Sequence, residues 1–224
     1  MNLLALETAT DACSAALAVN GDFLERFEIA PRGHSQRILP MMDELLMEAG
    51  ITLAEVDALA FGRGPGAFTG MRIAVGVAQG IAFGADLPVV AVSSLATLAQ
   101  GARAQQVLVA VDARMNEVYW GAYRRNSDGL MELCGEESVL SPDQVPAPDE
   151  GAWAAVGSAW LTYEDKLAAR CLGRISGIDP VALPHAQDVA LLGIAAYEAG
   201  EAVSAEQALP VYLRDETAWK KMAT

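Results

Sequence analysis

Residues 62–70 read Gly-Arg-Gly-Pro-Gly-Ala-Phe-Thr-Gly and lead directly into a long apolar segment, and this junction decides the fold. Glycine tolerates strained backbone better than any other residue, so the run predicts a tight loop. Apolar residues before it predict a short strand over 57–61, and those after it recur at helical spacing over 69–83. A further strand is predicted over 88–92. Alternation of strands and helices in this way predicts an α/β architecture.

The same loop is the first candidate for chemistry, because a strand, a glycine loop and a helix can present backbone N–H groups to a phosphate. A P-loop needs lysine followed by serine or threonine after its last glycine, whereas Met71-Arg72 follow Gly70. The dinucleotide spacing GxGxxG is not met either. The spacing therefore favours a tight structural turn, with a phosphate cradle as the open alternative.

The helix that follows carries small residues in two rows with a spacing of four. The rows are Gly76, Gly80, Gly84 and Ala74, Ala78, Ala82. Residues four apart lie on one helix face, so part of this helix is almost without side chains. A glycine inside a helix costs up to ~1 kcal/mol relative to alanine, so the rows need a reason. Close approach of another backbone supplies one, and the neighbour is either an internal element or a partner chain.

Upstream of the loop, the chain predicts three strands and a helix. The strands are expected over 2–6, 13–19 and 23–29, and Asn20-Gly21 predicts a type I′ hairpin between the last two. Ser35 can cap the helix, whose apolar residues recur up to Ala49. Pro40 lacks a backbone donor, so a late start or a kink is expected there.

Downstream of the loop, irregularly spaced strands and helices continue. Strands are predicted over 106–111, 116–123, 130–135 and 152–156, helices over 95–100, 159–169 and 187–199, and a loop over 141–150. We predict two domains, an N-terminal lobe over 1–103 that carries the partner surface and a C-terminal lobe over 104–224. The last helix is expected to pack back on the first lobe.

Composition limits the classes of function. The 224 residues carry a net charge of −14, and such an acidic chain is a poor RNA binder on its own. No secretory signal is visible, and the apolar stretch 73–85 is shorter than the roughly 20 residues that span a membrane. Three cysteines without a CxxC pair predict reduced thiols. We therefore expect a soluble, cytoplasmic protein without a membrane association.

Catalytic and metal chemistry find little support in the residue pattern. Only two histidines occur, His34 and His185, and neither has a histidine or cysteine at ligand spacing. No GxSxG nucleophile elbow is present. Glu7, beside Thr8, and Asp112 follow predicted strands and could face a cleft, although turn and capping roles are commoner for such residues. No metal or cofactor is predicted.

Several segments together resemble the TsaB (YeaZ) family. They are Leu4-Ala-Leu-Glu-Thr-Ala-Thr10, His34-Ser35 with Leu39-Pro40, Gly64-Pro-Gly-Ala-Phe-Thr-Gly-Met-Arg-Ile-Ala-Val-Gly76, Val111-Asp-Ala-Arg-Met-Asn-Glu-Val-Tyr119 and Pro210-Val-Tyr-Leu-Arg214. The resemblance runs over nearly the whole chain. It implies an actin-like (ASKHA) fold of two lobes, each a mixed sheet flanked by helices.

The resemblance also implies a function in tRNA modification. A member of this family pairs with a catalytic paralogue, TsaD, and a small ATPase, TsaE, and the assembly attaches threonylcarbamoyl to adenosine 37 of tRNA. The family member is a non-catalytic partner that forms a homodimer when alone, and tRNA is contacted mainly through the other subunits. The paralogue binds a metal through a histidine pair, and His34 has no companion here, so this chemistry is not carried over.

Two sets of candidate residues follow. The partner interface is predicted to comprise His34, Ile38, Met41, Met42, Leu45, Met71, Ala74, Gly76, Ala78 and Gly80. A degenerate nucleotide cleft would involve Glu7, Thr8, Gly64, Gly66 and Asp112. The alternatives are a nucleotide-binding phosphotransferase that uses this cleft, a peptidase-like hydrolase, and a homodimeric scaffold unrelated to tRNA.

Overall fold

The computed structural model describes residues 1–214 and divides them into two compact units. The first unit comprises residues 1–101 and 183–210, and the second comprises 102–182 together with the described residues from 211 onward. The chain therefore leaves the first unit after residue 101 and returns to it at residue 183. The predicted division between residues 103 and 104 stays a prediction about separate lobes.

The first unit is built on a five-stranded mixed sheet. Its strands are β1 (Leu3–Glu7), β2 (Ala12–Val19), β3 (Asp22–Ile29), β4 (Ala58–Gly62) and β5 (Val89–Val92). They are ordered β3-β2-β1-β4-β5, with β1 antiparallel to β2 and parallel to β4. Asn20 and Gly21 join β2 to β3 with φ of 53° and 89°, as a type I′ hairpin requires.

The second unit contains a six-stranded mixed sheet. Its strands are β6 (Gln106–Arg114), β7 (Glu117–Arg125), β8 (Met131–Leu133), β9 (Ser138–Leu140), β10 (Trp153–Val156) and β11 (Ile175–Asp179). The order is β11-β10-β6-β7-β8, and β9 pairs with β7. The sequence did not indicate β9 or β11. Both have partly or fully exposed side chains and lack the apolar alternation that reveals a strand.

Helices cover the two sheets. They are α1 (His34–Ala49), α2 (Phe68–Ala85), α3 (Ser94–Gly101), α4 (Ala159–Arg170) and α5 (Ala186–Glu198). In the first sheet, alternate residues of β1 face opposite layers: Leu4 and Leu6 pack in the α1–α2 core, and Leu3 and Ala5 pack in the α5 core. These two mixed sheets with their flanking helices confirm the predicted α/β class.

Helix α1 differs from the prediction at Pro40. It begins at His34 and continues to Ala49, so the predicted late start is wrong. Pro40 cannot donate a backbone hydrogen bond, but the adjacent Met41 and Met42 are buried against the sheet. Tertiary packing thus stabilises the helix across the proline. The helix ends at Gly50, whose φ of 67° is the left-handed conformation that glycine favours.

Candidate functional site

Most of the predicted interface residues lie inside the first unit. Those that are buried are His34, Ile38, Met41, Met42, Leu45, Met71, Ala74 and Ala78. Their side chains fill the space between the helices and the sheet, or lie at its edge, and are at most 7% exposed. This corrects their assignment to an exposed partner surface, because packing within the chain already accounts for their apolar character.

The two rows of small residues in α2 have opposite surroundings. Ala74, Ala78 and Ala82 are at most 1% exposed and lie in the core beneath the helix. Gly76 and Gly80 are exposed, and a Cβ atom added to either, or to Gly84, would meet nothing within 4 Å. Within residues 1–214, close approach therefore explains the alanines but not the glycines. The interface prediction now rests on Gly76 and Gly80.

Larger side chains lie at both ends of the glycine row. Positions 68, 72, 76, 80 and 84 form one row along the surface of the helix, because each is a neighbour of the last at a spacing of four, and the row winds slowly around the helix axis. At one end, the guanidinium carbon of Arg72 lies 3.7 Å from the centroid of the Phe68 ring, a cation–π contact. At the other end, the side chain of Phe83 is 75% exposed. We call this surface, from Phe68 and Arg72 across the glycines to Phe83, the glycine face.

The sequence indicated the glycines of this surface but not its aromatic residues. Phe83 lies three residues after Gly80, a spacing that also places side chains side by side on a helix. Spacing could therefore have identified Phe83, whereas its exposure could not be read from an apolar helix. Among the described residues, α2 is also the one helix that is long and apolar enough to cross a membrane, and 33% of it is buried. Helices that pack inside soluble proteins meet the same criterion.

The glycine-rich segment 62–70, which comprises the last residue of β4, a loop and the first turn of α2, is packed against the turn between β1 and β2. Thr8 donates a hydrogen bond from its hydroxyl to the Gly70 carbonyl at 2.8 Å, and the Ala67 amide donates to the Ala9 carbonyl at 2.7 Å. A Cβ atom at Gly70 would overlap the Thr8 carbonyl oxygen, and one at Gly66 would overlap that of Ala9. The loop therefore needs glycine for close backbone contact, which supports the tight structural turn.

The Glu7 side chain is buried inside the first unit and does not face an open cleft. It is fully buried, and its carboxylate accepts 2.6 Å hydrogen bonds from the Ser94 hydroxyl and from the Ala9 amide. Burial raises the pKa of the Glu7 carboxyl, and those hydrogen bonds oppose the change. A Cβ atom at Gly62 would overlap this carboxylate. Thr8 is equally buried, so both assignments to an open cleft are corrected.

The remaining cleft candidates serve the local backbone. Gly64, in the loop, has φ of 87° and its carbonyl accepts the Ser94 amide at 2.9 Å. In the second unit, the Asp112 carboxylate accepts the Arg114 amide at 2.8 Å, and the Asp112 amide donates to the Ser158 hydroxyl at 3.1 Å. The contact of Asp112 with Arg114 stabilises a local turn, and the other two join separate segments of the chain. Nucleotide binding by any of these residues stays a prediction.

Both histidines are engaged by groups of the first unit. The Nε2 atom of His34 lies 2.9 Å from the Thr10 carbonyl oxygen and 3.1 Å from that of Ala12. His185 is paired with Glu25. Within residues 1–214, no group of three or more histidine, cysteine, aspartate or glutamate side chains is placed to hold a metal ion.

Comparisons with known proteins place the chain in a family. A family model described as "TsaD: tRNA N6-adenosine threonylcarbamoyltransferase" matches residues 27–222. The tRNA threonylcarbamoyladenosine biosynthesis protein TsaB of Escherichia coli K12 is 45% identical, over 99% of this chain and 98% of that protein.

Solved structures agree with the sequence comparison. YeaZ from Pseudomonas aeruginosa superimposes with a TM-score of 0.89 at 51% identity, over 95% of this chain and 99% of that one. A second structure, described as an uncharacterized protein with similarity to peptidase YEAZ from the same organism, gives a TM-score of 0.89 at 50% identity, over 95% and 99%. The predicted α/β fold of mixed sheets flanked by helices is confirmed, and the chain belongs to the TsaB (YeaZ) family within the wider TsaD family.

Proposed function

We propose that this chain takes part in the synthesis of threonylcarbamoyladenosine at position 37 of tRNA as a non-catalytic partner subunit. In this role it binds and activates a catalytic TsaD paralogue together with the ATPase TsaE. Membership of the TsaB family supports the process, because the relatives are named for this biosynthesis. The observation that carries the role of partner subunit is the exposure of the glycine face of α2.

The glycine face has the physical properties of a helix-docking surface. Three glycines in one helix cost up to ~3 kcal/mol in total relative to alanine, and no contact within the described chain compensates for them. Small residues allow a second helix to approach closely. Phe83, and Phe68 beneath Arg72, flank this smooth strip with aromatic surface of the kind that dominates binding energy at interfaces. The same face would support a homodimer when the paralogue is absent.

We propose that the chain is not itself catalytic, because the candidate catalytic side chains are engaged in contacts within the chain. Glu7 is buried with both carboxylate oxygens engaged, and His34 is bonded to backbone carbonyls. Asp112 stabilises a turn. These contacts give little support to the phosphotransferase or to the peptidase-like hydrolase. Since the chain has a net charge of −14, we propose that tRNA is held mainly by the other subunits, in the cytoplasm.

Reconstitution with the TsaD and TsaE proteins of the same organism and unmodified tRNA tests the proposal. We expect modified adenosine only when the chain is present, and none from the chain alone. Gly80→Leu should abolish the activation. Gly177→Leu is a matched control, because Gly177 lies in the second unit and a Cβ atom there also meets nothing within 4 Å. Full product formation without the chain would contradict the subunit role.

A further inference from the structure

Strand β3 is an edge of the first sheet, and its two faces hold two helices by different charged groups. On one face, Arg26 forms ion pairs with Glu44 and Glu48 of α1, the first at 3.3 Å. Glu28 on the same face pairs with Arg37 of α1 at 2.8 Å. Arginine and glutamate both keep their charge around neutral pH. The attachment of α1 to β3 therefore does not depend on pH in that range.

The opposite face of β3 holds the start of α5 through a histidine. Glu25 accepts from Nδ1 of His185 at 3.0 Å, and its other carboxylate oxygen accepts from the Gln187 amide at 3.1 Å. The Phe27 ring stacks on the His185 ring with centroids 4.2 Å apart and planes inclined by 11°. On β2, the Ser14 hydroxyl accepts from the Ala186 amide at 2.9 Å. We call the group of His185, Glu25 and Phe27 the β3–α5 clamp.

The β3–α5 clamp lies where the chain returns to the first unit, at the start of α5. His185 is the residue that precedes α5, and its own side chain makes no capping hydrogen bond to the helix. Glu25 supplies that acceptor from another strand. Residues 102–182 form the second unit, so α5 is the first helix after the chain returns to the first unit. The clamp thus fixes the helix whose apolar side packs on the whole sheet.

We propose that the β3–α5 clamp is a pH-sensitive contact. Protonated His185 binds the first turn of α5 to β3, and deprotonation of His185 weakens the attachment of that turn. A neutral imidazole can still donate one hydrogen bond from Nδ1, so the turn weakens and does not detach. The inference concerns a face of the first unit that the proposed partner function does not use, and either can fail without the other.

The direction of the pH dependence follows from the charges around His185. The hydrogen bond to Glu25 raises the pKa of His185, the charges of Glu25 and Asp188 raise it further, and burial opposes them. Glu25 lies on β3 and Asp188 on α5, and the aromatic Phe27 carries no charge. Because the pKa in the folded state is raised, the stabilisation is fully present below the unfolded value of about 6.5. It is lost as the pH rises through the folded value.

Hydrogen exchange and NMR on the full chain test this proposal. The Gln187 amide should exchange about two- to fivefold faster at about pH 8 than at about pH 6, after correction for the intrinsic exchange rate, in keeping with a partly exposed ion pair. Glu25→Gln and His185→Gln should both remove this difference. Glu28→Gln, on the opposite face of the same strand, should leave it unchanged. A titration of the His185 ring should show its pKa fall in Glu25→Gln.

Two results would overturn the proposal. One is a His185 pKa that is the same in the wild-type chain and in Glu25→Gln. The other is a pH dependence of Gln187 exchange that survives in His185→Gln, since another group would then be responsible. If His185→Gln unfolds the chain, Glu25→Gln still decides the question, because it keeps an oxygen acceptor and removes only the charge.

Discussion

Glycine occurs in two neighbouring regions of the first unit for opposite reasons. In the glycine-rich segment 62–70, Gly66 in the loop and Gly70 in the first turn of α2 lie against the carbonyl oxygens of Ala9 and Thr8, and any side chain would collide with backbone. In α2, Gly76 and Gly80 face open space. The sequence does not distinguish these cases, and only the packing shows that the loop needs its glycines internally. No contact among the described residues accounts for the glycines of α2.

The largest expected effect is a loss of stability when Gly70 is replaced. Gly70→Ala places a methyl group on the Thr8 carbonyl, which cannot move without disturbing the end of β1. We expect a loss of about 1–3 kcal/mol or more in the free energy of unfolding, as for overpacking against rigid backbone. Chemical denaturation of the purified variant measures it. A variant as stable as the wild-type chain would show that the loop is not held by this contact.

Replacement of the exposed glycines of α2 should have the opposite effect and raise the stability of the chain. Replacing Gly76, Gly80 and Gly84 together by alanine should stabilise the isolated chain by about 1–2 kcal/mol, because alanine is the better helix former and space is open. The same denaturation experiment applies. Destabilisation of the triple variant would mean that these glycines make contacts within the chain and do not face open space.

The buried Glu7 carboxyl should make the stability of the chain depend on pH. Its folded pKa is raised by burial above the ordinary 4.5, so the native state binds the proton more tightly than the unfolded chain does. The stabilisation by this proton is present below about 4.5 and is lost as the pH rises through the folded pKa. Glu7→Gln should remove this part of the pH dependence, and unfolding curves over a pH series would show it. An unchanged pH profile would contradict the raised pKa of Glu7.

The smallest expected effect on stability is at Phe83. Because 75% of its side chain is exposed, Phe83→Ala should change the free energy of unfolding by less than about 0.5 kcal/mol. Binding to the paralogue should nevertheless weaken about tenfold or more, as for an aromatic side chain that is exposed in the free chain and becomes buried in an interface. Titration calorimetry gives the affinity. A large loss of stability with unchanged binding would assign Phe83 to the chain's own packing.

Local signals predicted much of this fold. The Asn20-Gly21 hairpin, the glycine loop and the four-residue spacing in α2 each depend on neighbouring residues, and the structure contains all three. Tertiary packing decided the rest. Met41 and Met42 have the same pattern whether they face a core or a partner, and their burial was therefore not readable. Pro40 is accommodated by that same packing.

The candidate site was predictable only in part. A stripe of glycines is visible in the sequence, whereas the separation of the alanine row from the glycine row requires knowledge of which side of α2 meets the sheet. Glu7 illustrates the same limit. A carboxylate at the end of a strand is typical of a ligand-facing group, and only the contacts with Ser94 and Ala9 show that it is engaged internally.

The most direct test of the glycine face is the affinity of this chain for the TsaD paralogue of the same organism, measured by titration calorimetry. We predict that Gly80→Leu weakens the affinity at least tenfold while the melting temperature is maintained, and that Gly177→Leu binds like the wild-type chain. Equal binding by Gly80→Leu and the wild-type chain would contradict the assignment of this surface to the partner.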